Sequence, residues 1–278
     1  MTSFFNSPTK LQHDVPSDAI AVLVVIHGMA EYSARYATVI DWLNARGIGC
    51  CTYDQRGHGT APSSERERGD VVVFQDLVVD AAAAIDNVRA RYPQLPVFVW
   101  GHSMGAIVAI LAAAHGAALG PPKVRGVITS SPPIAAFDEV PTFVLRMLNW
   151  LAVVAPKLRI PRPFKPERLS RDLQVGLRYA QDPQVPKAIT LRLLVQLAEA
   201  SMRCVQVARK LKTPWLALHG TDDEIAPAIG SQRLIDALAS TDKYLRVWPL
   251  ARHEIHNEIE PTRTEFLECM AAWVKERV

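Results

Sequence analysis

The sequence predicts an α/β fold: a mostly parallel central sheet flanked by helices, with a helical segment inserted late in the chain. Three observations carry that expectation. Short β-branched apolar runs alternate with stretches of helical periodicity, the pattern of βαβ units. Several runs are apolar at every position, as strands covered on both faces are. The alternation stops between Ser131 and about Lys210, then resumes.

The elements follow in order. Ile20 to Ile26 reads IAVLVVI, a buried strand that stops at His27-Gly28. Ser33 to Ala45 has helical spacing and ends before Gly47. Ile48 to Tyr53 is the second strand. Its adjacent Cys50 and Cys51 point to opposite faces and read as buried free thiols. Thr60 to Gly69 is a polar loop, and Phe74 to Tyr92 a long helix ended by Pro93. Pro96 to Trp100 is the third strand. Ala106 to Ala118 is apolar almost all round, so this helix is buried. Val124 to Thr129 is the fourth strand. Ser131 to about Lys210 is proline-rich, with helical patterns and no convincing strand. Pro214 to Leu218 and Tyr244 to Trp248 are the last strands, with helices at Ile229 to Leu238 and Pro261 to Val278. The expected organisation is a core of residues 1–131 and 206–278 with a helical cap over 132–205.

A chain of 278 residues suits one large domain with such an insertion. A formal charge of +3 gives no reason to expect a nucleic-acid partner. The cysteines, Cys50, Cys51, Cys204 and Cys269, make no CxxC pair and no disulfide framework. The opening MTSFFNSPTK lacks a basic-then-apolar signal, which points to the cytosol. Val140 to Pro156 is interrupted by Arg146 and Asn149, so no membrane span is expected there.

Chemistry gathers at Gly101-His102-Ser103-Met104-Gly105, which follows a strand and opens a helix. G-x-S-x-G in that context is a nucleophile elbow: the glycines let the chain turn sharply and the serine hydroxyl stands out at the carboxyl end of the sheet. A serine needs a base, and the base needs an orienting carboxylate. In this architecture the acid and the histidine follow on later loops. The histidines after the last strand are His253 and His256; the acid comes from Thr221-Asp222-Asp223-Glu224. An oxyanion hole needs two backbone N–H donors. One comes from the residue after the nucleophile, Met104, and the other from the loop after the first buried strand. Histidine and cysteine never stand at ligand spacings, and no G-x-G-x-x-G or Walker sequence follows the first strand, so no metal or cofactor is expected.

The chain resembles the α/β-hydrolase superfamily from about residue 20 to 278. Within it the chain is similar to the monoacylglycerol lipase and lysophospholipase branch, often described as serine aminopeptidase-like. The markers are HGMAEYSARY at 27–36, DQRGHG at 54–59, GHSMG at 101–105, LSRD at 169–172, HGTDDEIAP at 219–227 and RHEIHNE at 252–258. The resemblance selects Asp223 over Asp222 and His253 over His256, and it points to the Met29 amide as the second oxyanion donor. Asp54, Arg56 and His58 read as residues that hold loops, and His27 and His102 as structural residues beside functional backbone turns. The resemblance implies a serine esterase that cleaves monoacylglycerols through an acyl-enzyme. The alternatives are a lysophospholipase, a short-chain carboxylesterase, a peptidase anchoring an amino group on Asp138, Glu139, Glu167 or Asp172, or a non-catalytic ligand-binding homologue.

Two segments bear on the substrate. Phe143, Val144, Met147, Leu148, Leu151 and Val154 form a wide apolar surface, and Leu191 to Met202 gives a second amphipathic pattern. Packing against the sheet is one reading. The resemblance favours a cap that forms an apolar acyl channel and touches a membrane peripherally. Lys157, Arg159, Arg162, Lys165 and Arg168 nearby read either as partners of anionic lipid heads or as a solvated face. The chain departs from the resemblance in the 26 residues before His27, fewer than such relatives carry, so the first strands are expected to be shortened or missing. It departs again in having Ala30 and Tyr32 within the glycine-rich HGxGEH pattern.

Overall fold

Ala21–Ile26, with no polar side chain among its residues, forms β2 and is buried along its whole length in the computed structural model. The structure describes residues 10–62, 64, 66–118 and 123–278. The start of the chain through residue 9, and Ser63 and Glu65 of the polar loop, lie outside the described residues. Alternation along β2 sends Val22, Val24 and Ile26 into one core layer and Ala21, Leu23 and Val25 into the other. Each such aliphatic side chain removed from water contributes about 1.5–3 kcal/mol, so a strand apolar on both faces is stable only at the centre of a sheet.

The sheet has seven strands in the order β1-β3-β2-β4-β5-β8-β9. They are β1 (Gln12–Asp14), β2, β3 (Ile48–Thr52), β4 (Val97–His102), β5 (Gly126–Ser130), β8 (Trp215–Gly220) and β9 (Lys243–Trp248). All pairings are parallel except that of β1 with β3. On one face lie α2 (Phe74–Arg91), α3 (Met104–Ala118), α6 (Leu191–Ala208) and α7 (Ile229–Ala237); on the other lie α1 (Ala37–Asn44) and α8 (Thr262–Lys275). Cys51 belongs to the first layer and Cys50 to the second, both as free thiols. From β2 the chain moves outward to β3, then returns to β4 on the other side of β2. The loops after β2 and β4 therefore diverge and leave a crevice at the carboxyl edge, the place where such sheets bind ligands.

The expectation of no strand between residues 131 and 210 needs correction, whereas that of shortened first strands is met by one strand, β1, before β2. Its three residues, Gln12, His13 and Asp14, carry no apolar run and are ordered by pairing with Thr52, Cys51 and Cys50. Between residues 131 and 210 there are also two short strands, β6 (Arg159–Pro161) and β7 (Ala188–Thr190), paired antiparallel. They join α4 (Thr142–Val154) and α5 (Leu173–Gln181) to the start of α6. Strands of three residues, one of them holding Arg and Pro, are too short to show a period-two pattern in sequence.

Helix α4 has no buried residue. Phe143, Met147, Trp150, Val153 and Val154 are exposed on it, Val153 at 80%. Val144, Leu148 and Leu151 of the expected apolar surface are only partly exposed, and Trp150 and Val153 extend that surface beyond the residues read from sequence. Among the described residues no helix is long and apolar enough to cross a membrane.

Candidate active site

The turn between β4 and α3 is forced by its glycines. A Cβ at Gly105 would run into the carbonyl oxygens of Ile26 and His27, and one at Gly101 would strike the backbone of Gly105. The turn is so tight that Ser103 takes φ +53°, in the left-handed region that costs a non-glycine residue on the order of 1–3 kcal/mol. The Ser103 N–H donates to Ser130 O at 2.9 Å, which ties the turn to the end of β5. The side chain of Ser103 is left half-buried at the crevice.

Two loops from later strands meet it there. His253, after β9, places Nε2 3.0 Å from Ser103 Oγ and Nδ1 2.8 Å from Asp223 Oδ2. The loop after β8 carries Asp223, whose Oδ1 accepts the N–H groups of Ile225 and Ala226. Burial works to raise the Asp223 pKa, but His253 and His219 outweigh it and hold the carboxyl well below the usual carboxylate range. Burial likewise lowers His253, yet the charge and hydrogen bond of Asp223, with Glu254 and Glu31 further away, leave its pKa above the ordinary histidine value. The Ser131 hydroxyl donates to the His253 carbonyl at 2.8 Å and fixes that loop from below.

The residues set aside fall elsewhere. Asp222 is exposed and accepts from the Thr221 hydroxyl. His256 is buried, stacked on Tyr36 and edge-on to Trp100. Asp54 binds Ser33 and Thr60, Arg56 binds Asp76 and Asp80, and His58 bonds the Arg56 carbonyl. His102 is buried beside Ser130. One partner escaped the sequence reading: His219 Nε2 lies 3.2 Å from Asp223 Oδ2 and 2.7 Å from Ala226 O. Its signal was its place four residues before Asp223, where a tight loop turns back on itself.

The loop after β2 passes close beside Ser103. A Cβ at Gly28 would lie 3.0 Å from Ser103 Cβ. His27 Nε2 accepts the Gln55 N–H at 2.9 Å, so the ring proton is on Nδ1, which donates to Gly28 O at 2.8 Å. Burial drives the His27 pKa down to about 3, in keeping with a neutral ring. Among the described residues, neither the Met29 N–H nor the Met104 N–H donates to a protein acceptor.

Above these groups lies a cavity of about 370 Å³. Its walls are mostly apolar, with Phe137, Leu145, Leu148, Leu194, Leu197 and Met202 from the stretch between β5 and β8. Its polar end holds Ser103, His253, Glu31, Arg35, Tyr179 and Glu254. None of Asp138, Glu139, Glu167 and Asp172 lines it. Asp138 pairs with Arg233, and Asp172 caps α5 by accepting the Gln174 N–H. Of the five basic residues read as facing lipid heads, Arg159 binds backbone carbonyls, Arg162 lies over the Tyr179 ring, and Arg168 pairs with Glu224. Lys157 and Lys165 are exposed.

A parallel sheet of this order, with a serine elbow between its central strand and the following helix, is the α/β-hydrolase architecture, and the chain is an enzyme of that class. The sequence profile of the family described as serine aminopeptidase, S33, matches residues 17–260, and the chain belongs to that family. Human monoglyceride lipase is 32% identical to it over 92% of this chain and 83% of its own length. The monoacylglycerol lipase of Mycolicibacterium smegmatis is 32% identical over 93% of this chain and 89% of its own. The crystal structure of Paleococcus ferrophilus monoacylglycerol lipase superposes with a TM-score of 0.84 at 29% identity, covering 97% of this chain and 99% of that one.

Proposed function

We propose that the protein is a serine esterase that hydrolyses monoacylglycerols to fatty acid and glycerol. The observation that carries this reading is the Ser103–His253–Asp223 chain of hydrogen bonds at the polar end of an apolar cavity. His253 takes the Ser103 proton as Oγ attacks the ester carbonyl, and Asp223 holds the imidazole and balances its charge. The Met29 and Met104 N–H groups, free of internal acceptors, receive the oxyanion, aided by the amino end of α3. His253 then passes its proton to the leaving glycerol oxygen. Water, deprotonated by the same histidine, cleaves the acyl-enzyme.

The acyl chain lies among the apolar walls, and residues 132–205 act as a cap over the core formed by 1–131 and 206–278. The relatives named above support the monoacylglycerol substrate. The exposed face of α4 supports a second element of the proposal, that the cap rests on a lipid surface from which substrate enters. Initial rates on 1- and 2-monoacylglycerols, a lysophospholipid and 4-nitrophenyl esters from C2 to C16, with Ser103→Ala as blank, test it. Turnover that peaks on medium or long chains and on monoacylglycerol is expected. Activity confined to C2–C4 esters would make the protein a short-chain carboxylesterase instead.

A further inference from the structure

The loop after β2 holds Gly28 by both of its polar ends, and the two grips differ in kind. Its carbonyl is held by His27 Nδ1. Its N–H donates to Glu31 Oε1, the carboxylate oxygen that also accepts from the Tyr36 hydroxyl at 2.9 Å. Glycine has no Cβ to restrict rotation about its own bonds, so these two grips replace the missing steric restraint. The next peptide bond is trans, so the Met29 N–H points opposite to the Gly28 carbonyl. The grip on the Gly28 carbonyl therefore aims the Met29 N–H directly, and the grip on the Gly28 N–H fixes the preceding peptide plane on which that orientation is built. The glutamate is 3% exposed, and a Cβ at Gly28 would lie 2.6 Å from its Oε1, so the carboxylate fits against the bare glycine. Its other oxygen meets Arg35 at 3.4 Å, and Arg35 meets Glu254, the neighbour of His253, at 2.8 Å.

We propose that Glu31 is a positioning residue for the hydrolysis, which by accepting the Gly28 N–H holds the β2 loop in the orientation that presents the Met29 N–H to the oxyanion. This rests on the esterase reading above. The feature that matters is an acceptor at the length of a glutamate side chain, and a negative charge is not required. Burial raises the Glu31 pKa to about 7, so near neutrality the group is in part a neutral acid, for which glutamine is the isosteric stand-in. Without the acceptor, Gly28 keeps a buried N–H unpaired, and the loop relieves this by turning. The Met29 N–H then moves off the oxyanion while the acyl pocket stays intact.

The test is steady-state hydrolysis of 4-nitrophenyl hexanoate by wild type, Glu31→Gln, Glu31→Asp, Glu31→Ala and Ser103→Ala. Thermal unfolding is measured for each variant. Glu31→Gln keeps the Gly28 acceptor and loses the Arg35 ion pair, so its kcat is expected within about threefold of wild type. Glu31→Asp keeps the charge but draws the acceptor back by one methylene, and Glu31→Ala removes it. Both are expected to lose roughly 10- to 100-fold in kcat with KM nearly unchanged, somewhat less than deletion of an oxyanion donor. The Gln and Asp pair decides the matter even where the Ala variant does not fold. A good Asp enzyme with a poor Gln enzyme overturns the proposal in favour of a charge effect. Equal losses in both, a loss in KM alone, or kcat unchanged throughout also overturns it. If Ser103→Ala retains turnover, or wild type has none, the esterase reading fails and this inference falls with it; serine-dependent turnover that ignores Glu31 sinks this inference alone.

Discussion

Tyr179 of α5 donates its hydroxyl hydrogen to the carbonyl oxygen of Ala30 at 2.8 Å, linking the segment between β5 and β8 to the loop beside Ser103. Ala30 sits at φ +58°, so this carbonyl is turned out of the ordinary extended path of the chain. The Tyr179 ring also lies 4.7 Å from each of the Arg35 and Arg162 guanidinium carbons. Tyr179→Phe keeps that stacking and deletes the hydrogen bond alone. The expected cost is about 1 kcal/mol, a fall of a few degrees in Tm. Calorimetry checks it, and an unchanged Tm would mean that water replaces the hydroxyl.

Ser103→Ala is expected to abolish ester turnover with folding retained. Asp223→Asn is expected to lower kcat by ~10⁴-fold, because the amide no longer holds the imidazole in the working tautomer. In the mechanism proposed above His253 acts as the neutral base, so kcat/KM should rise with pH around a midpoint above 6.5, the ordinary histidine value. The Asn variant should move that midpoint down. A pH–rate profile of both proteins decides this.

Stability follows its own signs. His253, raised on folding, contributes fully below its unfolded value of 6.5, and that contribution is lost as pH rises through the higher folded one. Asp223, depressed on folding, contributes above its unfolded value of 3.8, and that is lost as pH falls through the folded one. Urea unfolding should therefore separate wild type from Asp223→Asn most widely between pH 3.8 and pH 6.5.

The exposed α4 face predicts a split between substrates in solution and in lipid. Phe143 and Trp150 are 71% and 66% exposed. Each aromatic withdrawn from lipid forfeits about 1.5–3 kcal/mol. Phe143→Ser with Trp150→Ser should thus lower turnover of vesicle-borne monoacylglycerol at least ~10-fold, with 4-nitrophenyl acetate hydrolysis within about twofold of wild type. Equal rates on both substrates would remove the face from the mechanism.

Gly105→Ala should fail as protein rather than as catalyst. The added methyl would run into the backbone carbonyls of Ile26 and His27, the last residue of β2 and the one after it, which cannot give way as a flexible side chain would. A loss of at least about 2–3 kcal/mol is expected by chemical denaturation.

The parts of the fold legible in sequence were those whose physics is local. β2, β4 and β8 are buried on both faces, so their side chains announce them without reference to partners. β1, β6 and β7 exist only because another strand lies beside them, and Gln12, His13 and Asp14 carry no mark of that. The site divides in the same way. Ser103 sits in a turn written by its own glycines, and Asp223 and His253 sit in short loops with recognisable neighbours. The buried chain Glu31–Arg35–Glu254 joins residues far apart in sequence. Charged side chains read one at a time suggest a solvated surface, and their burial follows only once the segments after β2 and after β9 meet at the crevice.

The neighbouring thiols of Cys50 and Cys51 have a use unrelated to catalysis. Both are free, shielded from solvent, and turned into opposite layers of the core. Burial pushes the Cys51 thiol up to about 12 and Cys50 higher still, so neither reacts while the sheet is covered. An alkylating reagent thus labels Cys50 only when the α1–α8 side opens, and Cys51 only when the α2–α3 side opens. Two adjacent residues form a built-in clock with two hands, able to report which half of the molecule comes apart first.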